Sequence, residues 1–322
     1  MHERKSREEK MSQIQKKLED GVREIYSSDK YRQYIRAMSK FPKYSINNCI
    51  LIVSQCPVAS LVCGYHTWQK EFNRTVNKGE HGIMIMAPVK GKAMVEEEQF
   101  DENNRLIRDE NGKPVTELVQ REYQTYRPVY VFDASQTSGD PIPSLVSRLE
   151  GDVPSFGTLR DILIKVSPVP ISLEEIGGSA NGYYSPSDQR IVIDQTLPQQ
   201  QMIKTMIHEI SHAKLRHGSK DDKWDRNTKE VQAESVSYWV LQMLDEAGFS
   251  IDSSDYSFGY ISGWSKDREV SELKENMEII KTTAEAIVDS IEESLKEMKN
   301  QDINRCDEKD RDQVHSGRSH RR

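Results

Sequence analysis

A chain of 322 residues, 35% hydrophobic and 30% charged, is long enough for two modest cores, because single domains usually run about 100–200 residues. Near the start the longest purely apolar stretch is Cys49–Val53, far short of the roughly 20 residues a membrane span needs, and no signal peptide is read, which excludes a membrane protein from the expectations. The net charge of −7 conceals a split, with 17 Lys/Arg against 9 Asp/Glu in residues 1–94 and 28 against 43 in the remainder, so the basic first third suits a polyanionic partner. Cys49, Cys56, Cys63 and Cys306 do not space as a secreted disulfide framework, and a cytoplasmic location is expected.

In chain order, Met11, Ile14, Leu18, Val22, Ile25 and Tyr26 recur at helical spacing and predict one amphipathic helix within residues 6–39. After Phe41-Pro42, Ser45 is a fair N-cap for a second helix through Ser54, and Pro57 ends it. Short β-like runs at Leu61–Gly64 and Gly82–Ala87, a polar stretch with Asn111-Gly112 as a hairpin turn, and a run at Tyr126–Phe132 complete a first α+β domain over residues 1–135. The Gly-, Pro- and Ser-bearing segment 136–153 reads as a linker. A second domain, residues 154–300, begins with a helix near Leu159–Val166. Strand-like runs follow at Ile171–Ile176, Asn181–Ser185 and Arg190–Asp194, then three helices over Gln199–His217, Thr228–Ala247 and Val270–Lys299. Residues 301–322 read as a polar, disordered tail.

The chemistry sits in HEISH. Met202, Ile203, Met206, Ile207 and Ile210 recur at helical spacing, so His208 and His212, four apart, lie one turn above each other and can hold one metal ion. Glu209 is poorly aimed for the same ion but well placed to take a proton from a water there, the general-base position of this motif. A catalytic zinc site has three protein ligands, so a third must come from elsewhere. His217 falls one residue short of the metzincin position. Glu230 and Glu234, four apart on the next helix, are the candidates; Glu230 is assigned as the ligand at gluzincin-like distance and Glu234 as acceptor for a ligand His ring N–H, the reverse assignment being the alternative. The expected cofactor is Zn2+ and the expected reaction hydrolysis of an unidentified peptide or protein, with Tyr183, Tyr184, Tyr256 and Tyr260 as undecided oxyanion stabilisers. The run Arg190–Asp194 is a candidate edge for an extended peptide.

The first domain carries residue types that suit single-stranded DNA: Asn47 and Asn48, Tyr65 and Trp68 for stacking, and Lys70, Arg74 and Lys78 for phosphates. A zinc set of Cys49, Cys56, Cys63 and His66 is considered and set aside, because these cysteines sit among apolar neighbours and lack close pairing.

Four stretches, SxNNxxLI at Ser45–Ile52, GYxxW at Gly64–Trp68, RxVxKGExG at Arg74–Gly82 and YVFDxSQTxG at Tyr130–Gly139, together with HEISH and EVQAE, resemble the ArdC-type antirestriction proteins of plasmids and conjugative transposons. That family shares its N-terminal part with TraC-like conjugation primases. The resemblance implies a single-stranded-DNA-binding domain joined to a zincin-like, gluzincin-type metallopeptidase domain with a long C-terminal helix, in a protein of a mobile element. The sequence departs from the pattern in the acidic insertion Glu96–Glu122 and in that last helix. The rival expectation is a DNA-binding antirestriction protein that does not cleave peptides and whose zinc site is structural or vestigial.

Overall fold

The computed structural model describes residues 7–26, 30–142, 155–254, 256, 258 and 261–316. The fold is α+β. The single helix expected over 6–39 is described as two, α1 (Arg7–Ile25) and α2 (Lys30–Ser39), followed by α3 (Ile46–Gln55). Ser45 caps α3 as expected, accepting the Asn48 N–H. Beyond β1 (Val62–Gly64) a short α4 (Tyr65–Phe72) ends at Asn73, which adopts the left-handed conformation that Asn tolerates, and β2 (Arg74–Val76) follows.

The two long strands β3 (Ile83–Glu98) and β4 (Thr116–Asp133) form an antiparallel ribbon far longer than the runs legible in the sequence. Ile83, Ile85 and Val131 bury the inner end of the ribbon, while its outer half is largely exposed, so hydrophobic alternation fades as burial does. Asn111-Gly112 does sit in a turn: Gly112, at φ 77°, donates its N–H to the Asp109 carbonyl. β1 pairs with β4, and β2 pairs with β5 (Thr137–Gly139), which occupies the start of the expected linker. Of that linker, residues 143–153 lie outside the described residues.

The later part opens with α5 (Phe156–Val166), capped by Ser155. A three-stranded sheet then forms from β6 (Ile171–Glu174), β7 (Gly182–Ser185) and β8 (Arg190–Asp194) in the order β6-β8-β7, with β6 parallel and β7 antiparallel to β8. Helices α6 (Gln199–Lys214), α7 (Arg226–Glu246), α8 (Ile261–Ser265) and α9 (Val270–Ser316) complete the chain. α9 continues past Lys299, where the polar tail was expected to begin; no Gly or Pro interrupts the sequence before Gly317. α7 is the central helix, buried along nearly its whole length from Val231 to Leu244 and packed against α2, α6 and α9. Residues on both sides of the expected 136–153 boundary share one buried cluster, from Val22 to Leu295. Tyr31 of α2 hydrogen-bonds Ser235 of α7 at 2.8 Å, and Tyr26 donates to the Leu273 carbonyl of α9 at 3.0 Å. Among the described residues no helix is long and apolar enough to cross a membrane.

Candidate metal centre and cleft

Burial of Ile203, Met206, Ile207 and Ile210 sets the rotation of α6 and leaves His208 and His212 on the face that meets α7. α7 starts at Asp225, whose side chain accepts the Thr228 N–H at 2.9 Å, and this cap fixes where Glu230 falls one turn later. The result is a triangle of donor atoms. His208 Nε2 and His212 Nε2 are 3.1 Å apart, and Glu230 Oε2 lies 3.7 Å from the first and 3.8 Å from the second. Donors bound to zinc at about 2.0–2.1 Å with tetrahedral angles stand roughly 3.4 Å apart, so the triangle has the size of one face of such a site. Two imidazoles and a carboxylate suit zinc and other divalent first-row ions. Among the described residues this is the cluster of at least three ligand-type side chains that comes together; Cys49, Cys56, Cys63 and His66 do not.

The imidazoles of His208 and His212 beside it hold the Glu230 carboxyl well below the usual carboxylate range. Burial opposes charging of His208, but the Glu230 carboxylate beside it and the charges of Glu209 and Glu234 outweigh it, and its pKa is raised. Glu209 is buried and lines a cleft of about 310 Å³ with His208, Lys204 and Thr205 of α6, Glu234 of α7, Tyr256, and Asn181 and Gly182 at the start of β7. Glu234 thus faces the cleft beside His208. The partner of the His212 Nδ1 is a different residue, His217, at 2.8 Å. His217 was set aside as a ligand on spacing; it lies behind His212, folded back by Arg216 in the left-handed conformation at φ 56°, with its own N–H donated to the His212 carbonyl. Sequence spacing carried no signal for that contact. Burial pushes the His217 imidazole down to about 4, which keeps it neutral near pH 7.

One reading is corrected. β8, the run Arg190–Asp194, cannot offer a free edge, because it is the central strand with β6 and β7 on its two sides. The edge bordering the cleft is β7. Of the four tyrosines, Tyr256 lines the cleft, its hydroxyl 2.9 Å from Ser237 Oγ; Tyr183 and Tyr184 lie on β7, and Tyr260 is outside the described residues.

In the N-terminal part, several residues expected at DNA are occupied in the fold. Trp68 is fully buried and donates its indole N–H to the Phe132 carbonyl at 2.9 Å, so it cannot stack on a base. Asn48 grips Met86 of β3 through both amide groups, each bond 2.9 Å, and Gln55, two turns on, grips Met84 in the same way. Arg74 bonds Thr137 Oγ1 at 2.8 Å and the Thr137 carbonyl at 2.7 Å, pinning β5. Asn47, Lys70 and Lys78 are exposed, and Tyr65 is 42% exposed with its ring edge-on to Phe132. The sequence reading missed Tyr126 and Tyr130, 48% and 55% exposed. They share the outer face of β4 with Phe132, opposite the inward Val129 and Val131, and the alternation in YRPVYVF was the available signal.

An α+β chain with a two-histidine, one-carboxylate cluster opening beside a cleft is the class that fold and site define. Residues 4–132 match the N-terminal domain of anti-restriction factor ArdC, so this part of the chain is similar to that domain. An uncharacterized protein of Bacillus anthracis is 24% identical over 329 residues, an alignment covering 91% of this chain and 53% of the relative, so the chain spans about half the length of that curated relative. Crystal structures of the antirestriction ArdC protein from the R388 plasmid, metal-free and Mn(II)-bound, are 19% and 18% identical, with TM-scores of 0.44 and 0.43. Each covers 79% of this chain, over 86% and 84% of the respective ArdC chains. That likeness is too loose to transfer positions.

Proposed function

We propose that this chain is a divalent-metal-dependent peptidase, with zinc as the expected ion, coupled to a single-stranded-DNA-binding surface, and that it serves an antirestriction role for a mobile element. The observation that carries the peptidase reading is the juxtaposition of the His208–His212–Glu230 triangle with Glu209 in one cleft. His208, His212 and Glu230 would hold the metal, which when bound polarises a carbonyl and makes a water easier to deprotonate. Glu209 accepts that water's proton and can return it to the leaving amine. An extended peptide pairing with the edge of β7 would run past Gly182 toward Glu209, which is the substrate path a zincin-like arrangement requires. Tyr256 is the tyrosine best placed to stabilise developing negative charge on the substrate.

For DNA, the outer face of the N-terminal sheet supplies the stacking platform that buried Trp68 cannot. Tyr65, Tyr126 and Tyr130 are its exposed aromatic groups, and Lys90, opposite Gln124 in the ribbon, shares the Tyr126 side. The ArdC N-terminal domain favours contact with DNA, and the basic first third agrees with it. The rival, a non-cleaving antirestriction protein with a structural metal, is disfavoured by Glu209, since a structural site needs no base. The test compares wild type and Glu209→Gln for peptide hydrolysis and for protection of DNA from restriction. Loss of hydrolysis alone supports the peptidase; equal behaviour of the two proteins in both assays contradicts it.

A further inference from the structure

Behind the metal triangle runs a chain of hydrogen bonds whose direction is set at its far end. The Glu272 carbonyl of α9 can only accept, so the Asn276 Nδ2 at 3.0 Å donates to it and Asn276 Oδ1 is left as an acceptor. Gln232 Nε2 donates to that oxygen at 2.6 Å, which turns Gln232 Oε1 toward His217 Nε2 at 2.9 Å. A carbonyl oxygen there requires the His217 proton on Nε2. In the neutral ring Nδ1 then carries the lone pair, and it faces His212 Nδ1 at 2.8 Å. His212 must therefore carry its proton on Nδ1, which leaves the lone pair of its Nε2 pointing at His208 and Glu230. His217, Gln232 and Asn276 are all buried, with fractional exposures of 3%, 0% and 0%, so water does not compete for these bonds.

We propose that His217 is a positioning residue for the metal centre: together with Gln232 and Asn276 it locks His212 in the one tautomer whose Nε2 can ligate. This rests on reading His208, His212 and Glu230 as the metal ligands. Two features of the backbone serve the arrangement. Arg216 takes a left-handed conformation that a side-chain-bearing residue seldom adopts, and it is this turn that brings His217 back under α6. Asn276, the anchor, comes from α9, so the C-terminal helix reaches the metal site through the relay. Every bond in the series points the same way, ending with His208 Nε2–H able to donate to His212 Nε2 at 3.1 Å.

The direct test is a long-range 1H–15N correlation spectrum of the histidine rings in the full, metal-free chain, assigned with His212→Gln and His217→Gln. The expected spectrum has the His212 proton on Nδ1 and the His217 proton on Nε2. A His212 ring protonated mainly on Nε2, or a doubly protonated His217 at neutral pH, overturns the proposal. A Zn2+ titration supplies the second readout: His217→Phe and Gln232→Leu, each keeping all three ligands, are expected to bind zinc 10–100-fold more weakly than wild type. Unchanged affinity in a folded Gln232→Leu protein also overturns it. Should wild type show the stated tautomers yet bind neither Zn2+ nor Mn2+, the proton order stands and the metal reading falls, so the two failures are distinguishable.

Discussion

Glu230 Oε2 of α7 lies 3.7 Å from His208 Nε2 of α6, although the two residues are 22 positions apart and belong to different helices. The cap at Asp225 and the burial of Val231, Ala233 and Val236 set the rotation of α7, and so determine that Glu230 rather than Glu234 reaches both imidazoles. Glu209 stays outside this triangle, within the cleft. Removing its carboxylate while keeping its shape should separate binding from chemistry. In Glu209→Gln, metal affinity is expected to stay within a few-fold of wild type while peptide hydrolysis falls by about 10²–10⁴, the usual worth of a general base. Parallel metal titration and single-turnover cleavage check this.

Gly182 stands where β7 meets α6. A Cβ added there would come within 2.8 Å of Thr205 Cγ2 and 2.9 Å of the Val192 carbonyl, so backbone and helix would have to part. Gly182→Ala is expected to lower stability by about 1–3 kcal/mol and to raise KM for peptides more than it lowers metal affinity. Thermal denaturation and steady-state kinetics read the two effects.

Asp133 holds the N-terminal sheet to its neighbouring loops. One oxygen accepts the N–H groups of Ser60 at 2.7 Å and Leu61 at 3.2 Å; the other accepts the Ser135 N–H at 2.9 Å and its hydroxyl at 2.7 Å. Burial works against its charge, yet these hydrogen bonds prevail and its pKa is lowered. A carboxyl with a depressed folded pKa stabilises the fold above the ordinary Asp range of about 3.9 and loses that contribution as pH falls through the folded value. Asp133→Asn sets an NH2 group against donors on one side. It is expected to cost about 1–3 kcal/mol at pH 7 and to flatten the acid limb of the stability profile, measured by denaturant titration from neutral to acid pH.

Stacking and burial predict opposite phenotypes for aromatic residues in the N-terminal part. Tyr126→Ala and Tyr130→Ala are each expected to weaken single-stranded DNA binding by about 1–3 kcal/mol while leaving the melting temperature nearly unchanged. Trp68→Ala is expected to destabilise the chain by about 3–5 kcal/mol. Lys78→Ala and Lys90→Ala should reduce the salt dependence of binding instead. Fluorescence anisotropy across a salt series, on the full chain because α1 and α2 pack into a core shared with α7 and α9, tests all of these.

The juxtaposition of His208 and His212, with Glu209 beside them, was legible because HExxH is local: a four-residue helical repeat fixes geometry without reference to the rest of the fold. Glu230 and Glu234 were legible as a pair on one face of the next helix, but which of them meets the imidazoles depends on the rotation of α7. His217 was not, since its place depends on a left-handed Arg216 and on partners 15 and 59 residues further along, neither of which leaves a periodic trace. In the N-terminal part the sequence motifs were found but their roles inverted. Asn48, Trp68 and Arg74 are polar or aromatic residues of the kind that meets DNA, and each spends its hydrogen bonds on backbone or side-chain partners of β3, β4 or β5. Composition reports residue chemistry, whereas only packing decides whether that chemistry faces solvent. The same limit hid the length of β3 and β4, whose outer half has no buried face to impose alternation.

The central claim is that His208, His212 and Glu230 bind one divalent metal ion. Calorimetric titration of the metal-stripped full chain with Zn2+, and separately with Mn2+, tests it most directly. One site per chain is predicted for wild type, with zinc the tighter ion, and loss of that site in His212→Ala and Glu230→Ala proteins that remain folded. Absence of a stoichiometric site for either ion, or an undiminished site in both variants, would contradict the account.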